Sequence, residues 1–327
     1  MTKGLLHGEW VFSFLSIAVL VSPMTGFAQE EVSKFPTRPI TYIQPFTAGV
    51  PADLAMRLIS KEAEKFLGKP VIVSNRPGAV GTIGVAAVAS ANPDGYTIGN
   101  TPHSPMFVIP HLEKLSYQPV GDFKMIMQFG AFNMGVIVKS DSPFKSFKDL
   151  ITFARQNPEK LTYGSAGTNS MQSIIIEQIA KREKVQLTHV PFKSTGDAQG
   201  ALLGGHILFA AGDFNYSLVE SGNARLLLLF REERAAEYPQ TPVLKDVGYD
   251  FPVPTFICVA GPKGLPDEIV KKLEDAFTKA MNEPAFIKGM KDLRLPIVYR
   301  SSRDLNAYVA HNYETYGRML KDLGLKE

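Results

Sequence analysis

The sequence predicts an α/β protein in two domains, each a sheet with flanking helices. Three observations lead there. Short apolar runs alternate with helices of three- and four-residue periodicity, and the alternation starts afresh near residue 135. About 300 residues remain after an N-terminal leader, enough for two ordinary domains.

The N-terminal leader is expected to leave the fold. Lys3 precedes an apolar run over residues 11–21 and a polar stretch ending Gly26-Phe27-Ala28. That is the pattern of a secretory signal peptide cut after Ala28, and the run is shorter than the about 20 residues needed to span a bilayer. The chain has one cysteine, Cys258, so no acylated cysteine follows the leader and no intramolecular disulfide is possible. Its setting, Phe256-Ile-Cys-Val-Ala260, predicts a buried, inert thiol. The formal charge of +3 comes from scattered bases and is too mild to imply a nucleic-acid partner. Trp10, the only tryptophan, lies in the leader.

In order, strands are expected at residues 40–43, 71–73 and 96–98, with helices at 53–67 and 84–90 between them. Leu54, Ala55, Leu58, Ile59, Ala63 and Phe66 mark the apolar face of the first helix, with Lys61, Glu62, Glu64 and Lys65 opposite. Gly68 supplies its stop and Pro70 forbids continuation. The second set has strands near 135–139, 161–163, 187–190, 207–211 and 226–229, and helices at 146–156 and 171–182. After Pro252 and Pro254 come a strand at 255–260 and helices at 266–281, 283–293 and 302–323. Pro266, Asp267 and Glu268 suit a helix start. The rhythm is that of parallel sheets.

Two strand-to-helix loops share one grammar. Phe46-Thr47-Ala48-Gly49-Val50 precedes a helix carrying Asp53 in its first turn, and Gly164-Ser165-Ala166-Gly167-Thr168-Asn169-Ser170 precedes another. Such loops lie at the carboxyl ends of strands and present backbone N–H groups at a helix N-terminus, which favours an anion. One loop in each domain suggests a two-sided clamp on a carboxylate. A third loop, residues 99–105, holds His103 and Ser104 between prolines. Asp213 closes the strand at 207–211, where it could accept a ligand N–H or O–H or simply form an Asx turn.

Other chemistries lack their signatures. Gly164-Ser-Ala-Gly167 is not the hydrolase elbow, and Gly78, Gly81 and Gly84 do not have the dinucleotide spacing. The six histidines show no zinc-ligand spacing, there is no phosphate loop, and no nucleophile–base pair is evident. The expectation is a binding protein without metal or cofactor.

Taken in order, several segments resemble the extracytoplasmic solute receptors of the tripartite tricarboxylate transporter system, also called Bug or TctC-like receptors. They are Phe35-Pro-Thr-Arg-Pro-Ile40, Pro45-Phe-Thr-Ala-Gly49 with Asp53, Asn75-Arg-Pro-Gly-Ala79 with Gly81, Ile83 and Gly84, and Pro93-Asp-Gly-Tyr-Thr97. Leu161-Thr-Tyr-Gly-Ser-Ala-Gly167, His189-Val-Pro-Phe-Lys193 and Leu203-Gly-Gly205 complete the set.

The resemblance implies a two-lobed Venus flytrap with a hinge of crossing strands, a monomer that binds a small carboxylate and hands it to a membrane permease. Domain 1 would comprise residues 29–132 plus 253–327, and domain 2 residues 133–252. Phe46 to Val50 would face the ligand from one lobe and Ser165 to Ser170 from the other, with Asp213 where relatives place a ligand-facing aspartate. His103 and Ser104 fall where relatives have a Thr/Ser/Gly-rich loop. A membrane sensor kinase in place of a permease, or a secreted enzyme acting on small acids, stays open as an alternative. One departure bears on the ligand: relatives read Ala-Gly-Gly-Ser/Thr-Thr/Ser-Asp where this chain has Ala48-Gly49-Val50-Pro51-Ala52-Asp53. Pro51 has no N–H and Val50 disfavours positive φ, so fewer donors and a more apolar wall are expected. A ligand with one carboxylate and an apolar or aromatic body, rather than citrate, would suit it.

Overall fold

The computed structural model describes residues 1–2, 34–231, 234–235 and 237–325, so the expected signal peptide lies almost entirely outside the described residues. The chain falls into two compact units, Met1–Phe35 and Pro36–Glu327, and every element below belongs to the second.

Ten strands form two five-stranded sheets. The first contains β1 (Ile40–Gln44), β2 (Val71–Asn75), β3 (Thr97–Gly99), β4 (Phe123–Gly130) and β10 (Ile257–Pro262), in the order β2-β1-β3-β10-β4. The second contains β5 (Met134–Lys139), β6 (Thr162–Ala166), β7 (Thr188–Phe192), β8 (Phe209–Asp213) and β9 (Ala224–Leu229), in the order β7-β6-β8-β5-β9. The sheets are mixed rather than parallel throughout: β10 runs antiparallel to β3 and β4, and β5 runs antiparallel to β8 and β9. It follows that β1 to β4 end at one edge of the first sheet, and β6 to β9 end at one edge of the second.

Helices cover both sheets: α1 (Pro51–Leu67), α2 (Thr82–Ala89), α3 (Ile109–Leu112), α4 (Phe147–Gln156), α5 (Met171–Glu183), α6 (Thr195–Leu203), α7 (Tyr216–Glu220), α8 (Asp267–Met281), α9 (Pro284–Asp292) and α10 (Ser302–Leu323). Their ends follow local chemistry. Ser146 and Asp149 form a capping box on α4, and Ser170 caps α5 by accepting the Ser173 N–H. Gly68 ends α1 at φ 67°, as expected.

The first sheet packs Tyr42 edge-on to Phe277 of α8 at 5.9 Å and Phe129 against Phe286 of α9 at 6.1 Å. The second buries Ile137, Leu202, Ile207, Phe214 and Leu229 together. Two differences from the sequence reading stand out. Strand β4 is absent from it, although Met125, Ile126, Met127 and Phe129 are all buried. On α1, Leu54 and Phe66 are exposed while Glu62 is buried, its carboxylate paired with Lys65. The buried face is therefore rotated from the expected one, because α8 and α9 both pack on α1.

The backbone passes between the sheets twice. Residues 131–133 join β4 to β5, and residues 230–256 lead from β9 to β10. Gly84 of α2 fixes the start of the first candidate loop. A Cβ there would sit 2.7 Å from Pro45 Cα and 2.9 Å from the Arg76 carbonyl oxygen, both backbone atoms. Gly84→Ala is therefore expected to destabilise by about 1–3 kcal/mol, lowering the thermal midpoint by several degrees in a calorimetric scan. An unchanged midpoint would show that Pro45 yields freely.

Candidate functional site

The loop after β1 is held open by one carboxylate. Asp53 is 1 % exposed and accepts four hydrogen bonds: Gly49 N–H at 2.9 Å, Arg57 Nε at 3.0 Å and Nη2 at 3.1 Å, and Asn75 Nδ2 at 2.8 Å. Burial pushes its carboxyl up, but the bonds from Arg57, Gly49 and Asn75 and the Arg57 charge outweigh that and hold it below the ordinary value. Asp53 thus fastens the loop. Asn75 Nδ2 also reaches the Phe46 carbonyl at 3.0 Å. Gly49 adopts φ +85°, which turns the chain and leaves Thr47, Ala48 and Gly49 exposed with Phe46 and Val50 half-buried. Val50 is extended and Pro51 opens α1, as the departure from the relatives' pattern predicts.

The loop after β6 is organised from below. Ser165 is fully buried, and its Oγ lies 2.8 Å from His189 Nε2, 3.2 Å from the Gly167 carbonyl and 3.4 Å from Ser170 Oγ. His189 stacks on Tyr163 at 4.5 Å, and burial lowers its pKa. The structure thus pairs a serine with a histidine, where the sequence reading found no nucleophile–base pair; 24 residues separate them along the chain. With no exposed surface, this hydroxyl ties the loop to β7. Ser173 Oγ donates to the Thr168 carbonyl at 2.7 Å, and Ala166, Gly167 and Asn169 are partly exposed.

The loop after β6 and the start of α5 meet the first lobe at Ser104, Glu113 and Val80. His103 and Ser104 begin a single wide turn, Ser104–Val108, instead of an open loop. Buried Ser104 accepts the Met171 N–H of α5 at 3.1 Å, so a hydroxyl of the first lobe occupies one N–H at that helix N-terminus. Asn169 Nδ2 donates to Glu113 at 3.2 Å, and a Cβ on Gly167 would meet Val80 at 3.1 Å. Further out, Tyr216 OH donates to the Asp292 carbonyl at 2.7 Å and Arg294 pairs with Glu220 at 2.8 Å. The lobes are clasped at the strand ends and again at α7.

Eight buried side-chain polar atoms among the described residues have no partner within the protein, and six of them sit at these facing ends. They are both amide atoms of Gln44, Asn100 Nδ2, His103 Nδ1, Gln172 Oε1 and Asp213 Oδ1. Buried polar groups normally have partners, so this concentration marks a place where something else supplies them. His103 packs edge-on to Phe132 at 5.2 Å, and burial drops its pKa to about 4, leaving a neutral ring. Asp213 is half-buried with its Oδ1 enclosed, and that enclosure raises its carboxyl to about 7. Gln44 and Gln172 escaped the sequence reading, and Asn100 lay in its third candidate loop without being singled out. A polar amide at the carboxyl end of an apolar strand was the signal for Gln44 and Asn100. Among the described residues, no group of three metal-ligating side chains occurs and no helix is long and apolar enough to cross a membrane.

Two mixed α/β sheets joined by crossing segments, with polar groups gathered between facing strand ends, define a two-lobed solute-binding fold of the periplasmic type. The chain belongs to the tripartite tricarboxylate transporter receptor family: residues 55–325 match the profile described as "Tripartite tricarboxylate transporter family receptor". It is 35% identical over 299 residues to the "UPF0065 protein in gbd 5'region" of Cupriavidus necator, covering 91% of each chain. Among solved structures it resembles the periplasmic binding protein BugD, with a TM-score of 0.80, 27% identity, and 89% of this chain and 99% of that one covered. It also resembles MatC of Rhodopseudomonas palustris with bound malate (TM-score 0.79, 26% identity, 88% and 100% covered). A further R. palustris protein, solved with adipate, gives a TM-score of 0.81 at 25% identity, with 89% and 98% covered.

The Asp213 environment has a pH signature. A carboxyl whose folded pKa lies near 7 binds more protons folded than unfolded between about pH 4 and 7, so stability falls as pH rises through that window. Asp213→Asn removes the unpartnered charge. The variant is expected to melt above the parent at pH 8, with the difference vanishing near pH 4–5; parallel midpoints across that range would mean that the carboxylate is paired.

Proposed function

We propose that this chain is a periplasmic receptor that captures a small organic carboxylate between its lobes and delivers it, unchanged, to a tripartite-type membrane transporter. The observation that carries the reading is the set of unpartnered polar atoms at the facing strand ends. A carboxylate has lone pairs for several donors, and closure around it removes water that would weaken each bond. The malate and adipate held by two relatives agree with this chemistry.

In this reading the leader is removed after Ala28, and residues 29–132 plus 253–327 close against residues 133–252. Phe46 to Val50 form one wall and Ser165 to Ser170 the other, with His103 and Asp213 at the edges. Ser165 acts from behind, by shaping its loop. Ligand contacts to both lobes favour the closed form, and that form is the one presented to the permease. Val50 and Pro51 replace donors with apolar surface, which favours an apolar or aromatic body on the ligand.

Thermal unfolding against a panel of carboxylates tests this, with dye or calorimetric detection because the exported chain would contain no tryptophan. A ligand at about 100 times its dissociation constant adds roughly 2.7 kcal/mol, a shift of a few degrees. Carboxylates with apolar or aromatic bodies are expected to raise the midpoint while citrate does not. A panel in which tricarboxylates alone act would overturn the apolar wall, and a silent panel would overturn the receptor reading.

A further inference from the structure

Two of the unpartnered atoms, one in each lobe, have a fixed hydrogen-bonding character. In the first lobe, Asn100 follows β3 and its N–H bonds the Ile43 carbonyl at 3.0 Å. Its Oδ1 accepts the Cys258 N–H at 3.1 Å. That bond fixes the orientation of the amide, so the atom left over, Nδ2, is a donor. Gln44 ends β1, the strand beside β3, one residue beyond the Ile43–Gly99 register pair. It is fully buried, and since neither atom of its amide has a partner it is free to turn its donor toward the same side as Asn100 Nδ2.

The second lobe has the opposite character. Asp213 ends β8, and its enclosed Oδ1 has no donor. Gln172 packs over the preceding residue, since a Cβ on Gly212 would lie 3.1 Å from its Nε2, and its Oε1 likewise has no donor. Gln172 is next to Met171, whose N–H is held by Ser104 of the first lobe. The acceptor pair is therefore carried to the boundary with the first lobe.

Resting on the receptor reading, we infer that the cleft is polar in one direction: Asn100 and Gln44 hold the ligand's carboxylate, and Asp213 with Gln172 takes a hydrogen-bond donor at its far end. The ligand class is a carboxylic acid bearing a hydroxyl or ammonium group across an apolar body. A diacid of the same length sets its second carboxylate against Asp213, and an acid without a far-end donor leaves two buried acceptors bare. Sites built to hydrogen-bond a particular group reject analogues lacking it far more strongly than apolar pockets reject a missing methylene.

The test is calorimetric titration of the purified protein with matched probes at pH 8 or above, where the Asp213 carboxyl is mainly ionised and acts only as an acceptor. One series is 6-hydroxyhexanoate, 6-aminohexanoate, hexanoate and adipate; the other is 4-hydroxybenzoate, benzoate and terephthalate. The hydroxy or amino member of a series is expected to bind at least tenfold more tightly than its diacid and its unsubstituted acid. Asp213→Asn should erase or reverse the preference over the diacid. Asn100→Asp keeps the acceptor for Cys258 but replaces the donor with a negative charge, and should weaken every carboxylate at least tenfold. Gln172→Met gives a second route if Asp213→Asn does not fold. Diacids binding as tightly as the hydroxy or amino acids in the parent, or preferences untouched by folded variants, would overturn the inference and leave the receptor standing. Failure of every carboxylate to bind would take the receptor reading down with it.

Discussion

Each sheet receives its one antiparallel strand from the chain that has just left the other. Strand β5 enters the second sheet directly after β4, and β10 returns to the first after β9. This exchange decides which strand ends meet. A strand leaving one sheet at its carboxyl edge must enter the next from that same side, so the ends of β1 and β3 are turned toward those of β6 and β8. Loops and helix starts then gather at the boundary without being drawn there individually.

Within that frame, polar groups divide between fastening and display. Asp53 is saturated by Gly49, Arg57 and Asn75, and Ser165 is saturated by His189, Gly167 and Ser170. These groups give rigidity to loops that would otherwise be only small residues. Gln44, Asn100, Gln172 and Asp213 do the reverse: the protein orients them and leaves atoms uncommitted. Preorganised groups of this kind lose little entropy on binding, because their rotamers are already set by packing.

Much of the scaffold was legible in the sequence. The β1–α1 unit, the two small-residue loops and the helix starts at Ser146 and Ser170 are local features, encoded in hydrophobic periodicity and cap chemistry. What escaped was long-range. Strand β4 carries apolar residues on both faces, with Lys124 near its start, so it shows no alternation to read. The buried face of α1 depends on α8 and α9, more than 200 residues later, and that contact sends Glu62 inward and Leu54 outward. The Ser165–His189 contact spans neighbouring strands. Asn100 became legible as a displayed donor only once Cys258, from a strand inserted beside β3, was seen to take its oxygen. The loops were found because they are made of unusual residues, whereas Gln44 and Gln172 were missed because glutamine is ordinary until something buries it.

The hydroxyl of Ser104 completes the first turn of a helix that belongs to the opposite lobe. Any rotation that parts the lobes must therefore strip α5 of a cap, exposing its Met171 N–H to water or to whatever arrives in place of the serine. The helix end thus already holds an internal competitor for any anion. An anion reaching that helix end would contend with a tethered side chain already at high local concentration.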